Sequence, residues 1–153
     1  MLRLQVAVTG DTFIKGQLAL VCWRTCPEGA RNALNVLKAI GLIQRNRVRA
    51  GWMGGDWLQV LRQDPMYSAY SAVVAGKTRL PDGLEEWPDL RNDIFQRFLW
   101  EVDKIYSGEA ADDLTEGGLY WGETHRIDRP WFLEKIVRGQ VAVAQVGQIA
   151  IWR

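Results

Sequence analysis

The chain has only two cysteines and one histidine in 153 residues, and neither acid nor base is in useful excess. Cys22 and Cys26 stand four apart on an expected helix, where side chains are neighbours but a bridge would bend the backbone, so no disulfide framework is expected. His125, with no second histidine, cannot seed a zinc cluster, and neither a metal nor another cofactor is expected. No apolar run approaches the ~18 residues that span a bilayer, so stable membrane insertion is not expected. "MLRLQVAVTGD" lacks a charged leader followed by an apolar core, which predicts synthesis in the cytoplasm without a signal peptide. Nineteen basic and eighteen acidic residues leave a net charge of +1, too little to draw the chain to nucleic acid or an acidic surface.

What is present is apolar and aromatic. Hydrophobic residues make up 48% of the chain, with eight tryptophans and four tyrosines, enough for one domain over residues 1–153 with its own core, expected as a monomer. "TFIKGQLALVCWR" reads as a first helix capped by Asp11 or Thr12 and ending near Thr25. Thr25 and Glu28 then stand in capping-box spacing around Pro27, which predicts a second helix starting there. Its stripe is Leu34, Leu37, Ile40 and Ile43, and Arg45, Arg47 and Arg49 suit its C-terminal dipole before Gly51, Gly54 and Gly55 stop it. Asp56 caps a short helix, "DWLQVLRQ", and "PMYSAYSAVVAG" suggests another. Asp89 caps the most periodic helix, with Ile94, Phe95, Phe98, Leu99, Val102 and Ile105 on one face, expected as the central pillar. "DDLTEGGLYWG" reads as a turn leading into a short aromatic strand, and period-two alternation about Val146-Gly147 predicts a terminal hairpin. The expected class is mainly α with a small β appendage (α+β).

Three stretches offer chemistry. Glu28 either reaches back to the backbone NH of Thr25, as a capping box does, or sits desolvated beside Val21, Trp23 and Pro27 as a protonated general acid. Asn46, eighteen residues on, faces the same way, but one unbroken helix would separate the two by ~27 Å. Asn46 is therefore expected to clamp the helix exit to a loop. In "DDLTEGGLYW", Asp113 and Thr115 either shape a turn or help line a sugar groove with Tyr120 and Trp121. In "DPMYSAYS", Tyr67 and Ser68 offer hydroxyls for an acetamido group, or simply begin a helix.

Together these stretches resemble the SleB-type cell-wall hydrolases, the spore cortex-lytic enzymes and phage endolysins that cleave peptidoglycan glycan strands. The family has an acid in a "GEARGE"-like entrance and "NRV" eighteen residues later; here Glu28 and Asn46-Arg47-Val48 keep that interval. Its "QFS" is similar to Met66-Tyr67-Ser68, its "DPTGGALYY" to Asp113, Thr115, Gly117, Leu119, Tyr120 and Trp121, and its closing "IG-x-H-x-F-Y" to Val146-Gly147 through Ile151-Trp152. The resemblance spans roughly residues 15 to 153, and departs at Asn32 for the second acid, Met66 for the Gln and Ile149 for the His. An alignment anchored on "WR" puts Thr25 where the acid belongs; Glu28 is preferred because a gap inside a helix would turn its apolar stripe.

The resemblance implies a lysozyme-like fold and a substrate of alternating N-acetylglucosamine and N-acetylmuramic acid. It implies Glu28 as general acid and then base, as a lytic transglycosylase or a muramidase, with Asp113 the one carboxylate in a matched motif that could assist. Tyr67, Ser68, Asp113, Thr115, Tyr120 and Trp121 would bind sugar, and the protein would reach the wall after host lysis or dedicated export. A different class, an inactive glycan-binding or virion-assembly module, stays open.

Overall fold

The computed structural model describes residues 10–30, 33–63, 93–124 and 141–153, with the backbone alone at Glu28. The first helix, α1 (Asp11–Thr25), starts one residue earlier than the capping argument requires. Gly10 occupies the cap without a side-chain bond, and Asp11 is the first helical residue. There its carboxylate suits the positive end of the helix and accepts a 2.7 Å bond from the Tyr106 hydroxyl. Burial and that bond push the Tyr106 phenol up to about 12. Gln17 through Trp23 are all buried, so α1 has no wet face over two turns and belongs to the interior. Cys22 and Cys26 are buried thiols within this region.

The capping box at Thr25 does not form. Thr25 is the last residue of α1, and its hydroxyl donates back to the Val21 carbonyl at 2.8 Å, the i−4 bond that threonine makes inside helices. Glu28–Ala30 make a single 3-10 turn, and α2 (Leu34–Arg49) begins seven residues after Pro27, where the sequence suggests a start, with Ala33 at its cap. Ala33 N donates to Ala30 O at 2.8 Å, so the turn feeds directly into the helix. The Leu34, Leu37, Ile40 and Ile43 stripe is as expected, but burial runs continuously from Ala39 to Asn46.

The C-terminal exit of α2 leads into a second 3-10 turn, Trp52–Gly55, and then α3 (Trp57–Leu61), whose cap Asp56 accepts from Gln59 N at 2.9 Å as the sequence indicates. Helix α4 (Asp93–Ser107) buries Phe95, Phe98, Val102 and Ile105 and leaves its other face wet. Residues 64–92, including the helix expected over 65–76 and the Asp89 cap, lie outside the described residues.

α2, not α4, is the pillar: α1, α3, α4, the 52–55 turn and the sheet all pack against it. The periodicity of α4 is the clearest in the chain because α4 is peripheral. A helix covered on most sides loses the polar stripe that makes a period visible.

Strands β1 (Tyr120–Glu123), β2 (Ala144–Val146) and β3 (Ile149–Trp152) form an antiparallel sheet in the order β1-β3-β2. β2 and β3 are the expected hairpin, closed by Gly147-Gln148 with Gly147 at φ 54. β1 pairs Tyr120 with Trp152 and Trp121 with Ile151. Ile149, Ile151 and Trp121 pack into the helical core, whereas Tyr120, Ala150 and Trp152 cluster on the opposite face. Four described helices and this small sheet make a mainly helical α+β protein. Among the described residues no helix is long and apolar enough to cross a membrane.

Candidate functional site

The last turn of α2 carries Asn46, Arg45 and Arg47, and all three reach into the loop before β1. Asn46 Nδ2 donates to Gly118 O at 2.9 Å, Thr115 Oγ1 at 3.0 Å and Asp112 Oδ2 at 3.2 Å. This is the expected clamp. Arg45, itself buried, donates to Ala110 O at 2.6 Å, and Arg47 Nε donates to Leu119 O at 2.8 Å while its guanidinium covers the Trp52 ring at 4.9 Å. Trp52 in turn leans on Tyr120 with ring centroids 5.5 Å apart. The arginines therefore bond the protein's own carbonyls as well as facing the helix dipole.

The loop is built around Asp112, which the sequence does not distinguish from its neighbour Asp113. The Asp112 carboxylate accepts from Thr115 N at 2.9 Å, Gly117 N at 3.1 Å, the Thr115 hydroxyl and Asn46. Burial alone would raise its pKa. The bonds from Thr115, Asn46 and Gly117 together outweigh that and hold the carboxyl below its ordinary value. Asp112 is thus an ionised acceptor, a role that a proton donor cannot share. Burial and the neighbouring Arg49 charge lower the Arg45 guanidinium, and Asp112 partly offsets them.

Two sequence expectations are corrected by this loop. Thr115 is fully buried with its hydroxyl bonded to Asp112 and Asn46, so it holds the turn rather than a sugar. Trp121 and Tyr120, expected side by side at a groove, point to opposite faces because strand side chains alternate. Trp121 packs on the helical core, and Tyr120 joins Trp52. Asp113 is exposed on the same loop. Tyr67, Ser68 and His125 lie outside the described residues.

Glu28 is at the other end of α2. A Cβ on Gly29 would meet Gln148 Nε2 at 3.3 Å, and a Cβ on Gly147 would meet Val36 Cγ2 at 3.0 Å. The Glu28–Ala30 turn therefore lies against the β2–β3 turn, beside the first turn of α2. From Leu34 to Asn46 the helix rises ~18 Å, whereas paired-carboxylate glycosidases hold their acids ~5–9.5 Å apart. Asp113, beside the Asn46 clamp, cannot assist Glu28, which corrects the expectation that it might.

The late start of α2 also removes the helix-gap argument for preferring Glu28 over Thr25. The Thr25 hydroxyl is engaged inside α1, so the alignment that puts Thr25 at the catalytic position describes a site without a proton donor. β1 bridges the two ends. It starts at Tyr120 near Trp52 and ends at Glu123, after which Thr124 N donates to Gln148 O at 2.8 Å. Glu123, which the sequence analysis did not single out, is thereby the carboxylate that the sheet brings to the Glu28 end.

The described residues thus define a mainly helical α+β domain with a clamped loop at one end of its pillar helix and an acid-bearing turn at the other. No family model, no curated protein and no solved structure matches the chain. Among the described residues no group of three His, Cys, Asp or Glu side chains is placed to hold a metal ion.

Proposed function

We propose that this protein is a lysozyme-like domain that cleaves peptidoglycan glycan strands, with Glu28 as its single acid and base. One observation carries the reading. The two stretches that most resemble the cell-wall hydrolases, Asn46-Arg47-Val48 and Asp113 to Trp121, are joined in space by the Asn46 side chain. The clamp ties the loop before β1 to the exit of α2, and in this reading β1 would form one wall of a cleft that runs toward Glu28.

In this reading Glu28 gives its proton to the bridging oxygen as the C1–O bond breaks through an oxocarbenium-like state. The carboxylate then takes the proton of the muramyl 6-hydroxyl as that oxygen attacks C1, closing a 1,6-anhydro ring. Asp113 stands at the other end of α2, so the choice between the transglycosylase and a paired-carboxylate muramidase turns on Glu123, and the single-acid transglycosylase is the reading adopted. Val21, Trp23 and Pro27, the apolar neighbours of Glu28 in sequence, are buried, and a carboxyl that shared their surroundings would hold its proton more tightly. Tyr120, with Tyr67 and Ser68, would contact sugar. The internal bonds of Arg45 and Arg47 speak against nucleic acid as the partner. The protein would work as a monomer on the wall after host lysis or dedicated export. Clearing of a suspension of purified cell walls should slow by ~10²-fold or more in Glu28→Gln, since general acid catalysis is worth ~10²- to 10⁴-fold. Clearing at the wild-type rate would remove Glu28 from the mechanism.

A second reading has its own observation. The position of the family's closing His is Ile149, fully buried in β3. A domain that kept the cleft and lost its polar lining would bind glycan, or assemble in a virion, without cutting. Sacculi that retain the protein yet release no soluble muropeptides would select this reading.

A further inference from the structure

We propose that Trp100 is the aromatic platform of a sugar subsite at the Glu28 end of α2. The indole is 73% exposed on the outer face of α4, although tryptophan is ordinarily well covered. It borders an open depression of about 400 Å³ that Leu34, Gln96, Arg97, Glu101 and Lys104 complete. Leu34 is the first residue of α2, directly after the Ala30–Ala33 turn, so the depression and the Glu28 turn share one end of that helix.

The chemistry of the rim selects the ligand. Of the apolar residues there, Leu34 is half-buried and packed on the core, so the indole stands alone rather than within the contiguous apolar patch that a protein interface uses. The charges around it are of both signs and largely paired. Lys38 lies 3.8 Å from Glu101, and Arg97 lies 3.3 Å from Asp93. Such a rim offers hydrogen-bond donors and acceptors of both kinds, with Lys104 adding one further cation. A flat apolar face ringed by polar groups suits a pyranose, whose C–H face is apolar and whose edge carries hydroxyls. This inference deepens the glycan reading and rests on it. Trp100 would hold an N-acetylglucosamine unit while Glu28 acts on a bond farther along the same strand.

The test titrates N-acetylglucosamine tetramer into the full chain by calorimetry, for the wild type and for Trp100→Ala, Trp100→Phe and Glu28→Gln, with fragment release from sacculi measured in parallel. Trp100→Ala should weaken tetramer binding roughly three- to tenfold, the value of a lost aromatic contact, and Trp100→Phe should recover part of it. The thermal midpoint should stay near the wild type because the ring is exposed. Glu28→Gln should bind normally. Unchanged tetramer binding in Trp100→Ala overturns the subsite, as does absence of binding in every form, or a loss of self-association in its place. If Trp100→Ala loses binding while Glu28→Gln still releases fragments, the subsite stands and the catalytic reading falls. If Trp100→Ala binds and cuts normally while Glu28→Gln is inert, the reverse holds.

Discussion

Asn46 and Thr115 lie 69 residues apart in sequence and share a buried 3.0 Å hydrogen bond. Through it the exit of the pillar helix and the turn before the sheet become one rigid unit. The same amide nitrogen donates to Gly118 O and Asp112, so a single side chain ties three groups of the loop to the helix and is the side-chain donor to the buried Gly118 carbonyl.

Asn46→Ala should therefore cost about 1–3 kcal/mol, the penalty for leaving a buried acceptor unpaired. Urea unfolding followed by circular dichroism reads it. Asn46→Asp should be worse than Asn46→Ala, because it sets a second carboxylate against Asp112. A midpoint within error of the wild type for both variants would show that the clamp does not hold the loop.

Gly118→Ala should destabilise by about 1–3 kcal/mol, as overpacking does. A Cβ there runs into Ile151 Cγ2 and comes within 3.0 Å of Thr115 O and 3.3 Å of Trp152 O. Two of the three obstacles are backbone, which cannot swing aside as a side chain can. A thermal midpoint equal to the wild type would mean that β1 and β3 separate more easily than their register suggests.

The pH dependence follows from Asp112. Its folded pKa is lowered, so the unfolded chain binds the proton more readily and acid favours unfolding. The stability it contributes is fully present above the ordinary aspartate value, ~3.9, and is lost as pH falls through the lower folded value. Thermal midpoints measured from pH 6 down to pH 2 should fall more steeply in the wild type than in Asp112→Asn, which has no such proton to take up. Parallel curves would place the acid sensitivity elsewhere.

Glu123 tests whether one acid suffices. It ends β1 at the Glu28 side of the sheet, where a second carboxylate would have to stand. With Glu28 as both acid and base, Glu123→Gln should retain wall clearing within about tenfold, well short of the ~10²- to 10⁴-fold that an acid or base contributes. A loss as large as that of Glu28→Gln would establish a paired-carboxylate mechanism.

The sequence made some of this legible and hid the rest for identifiable reasons. Asp56, the Gly147 hairpin and the stripe of α4 were readable because each depends on residues within a few positions. The start of α2 was not, because Thr25-x-x-Glu28 has the spacing of a capping box whether or not the hydroxyl is free. A carbonyl of α1, four residues back, had already taken it. The choice of Asp112 over Asp113 was equally invisible, since adjacent aspartates look alike until one faces Asn46 across the fold. Asn46 could be assigned a clamping role from its place near a helix exit, but its partners needed contacts some seventy residues away.

In the proposed mechanism Glu28 alone moves the proton that breaks a glycan strand. Mass spectrometry of the fragments released from purified sacculi tests it most directly. Muropeptides ending in 1,6-anhydro rings should appear with the wild type and none with Glu28→Gln. Fragments with reducing ends only, or anhydro products persisting in Glu28→Gln, would contradict it.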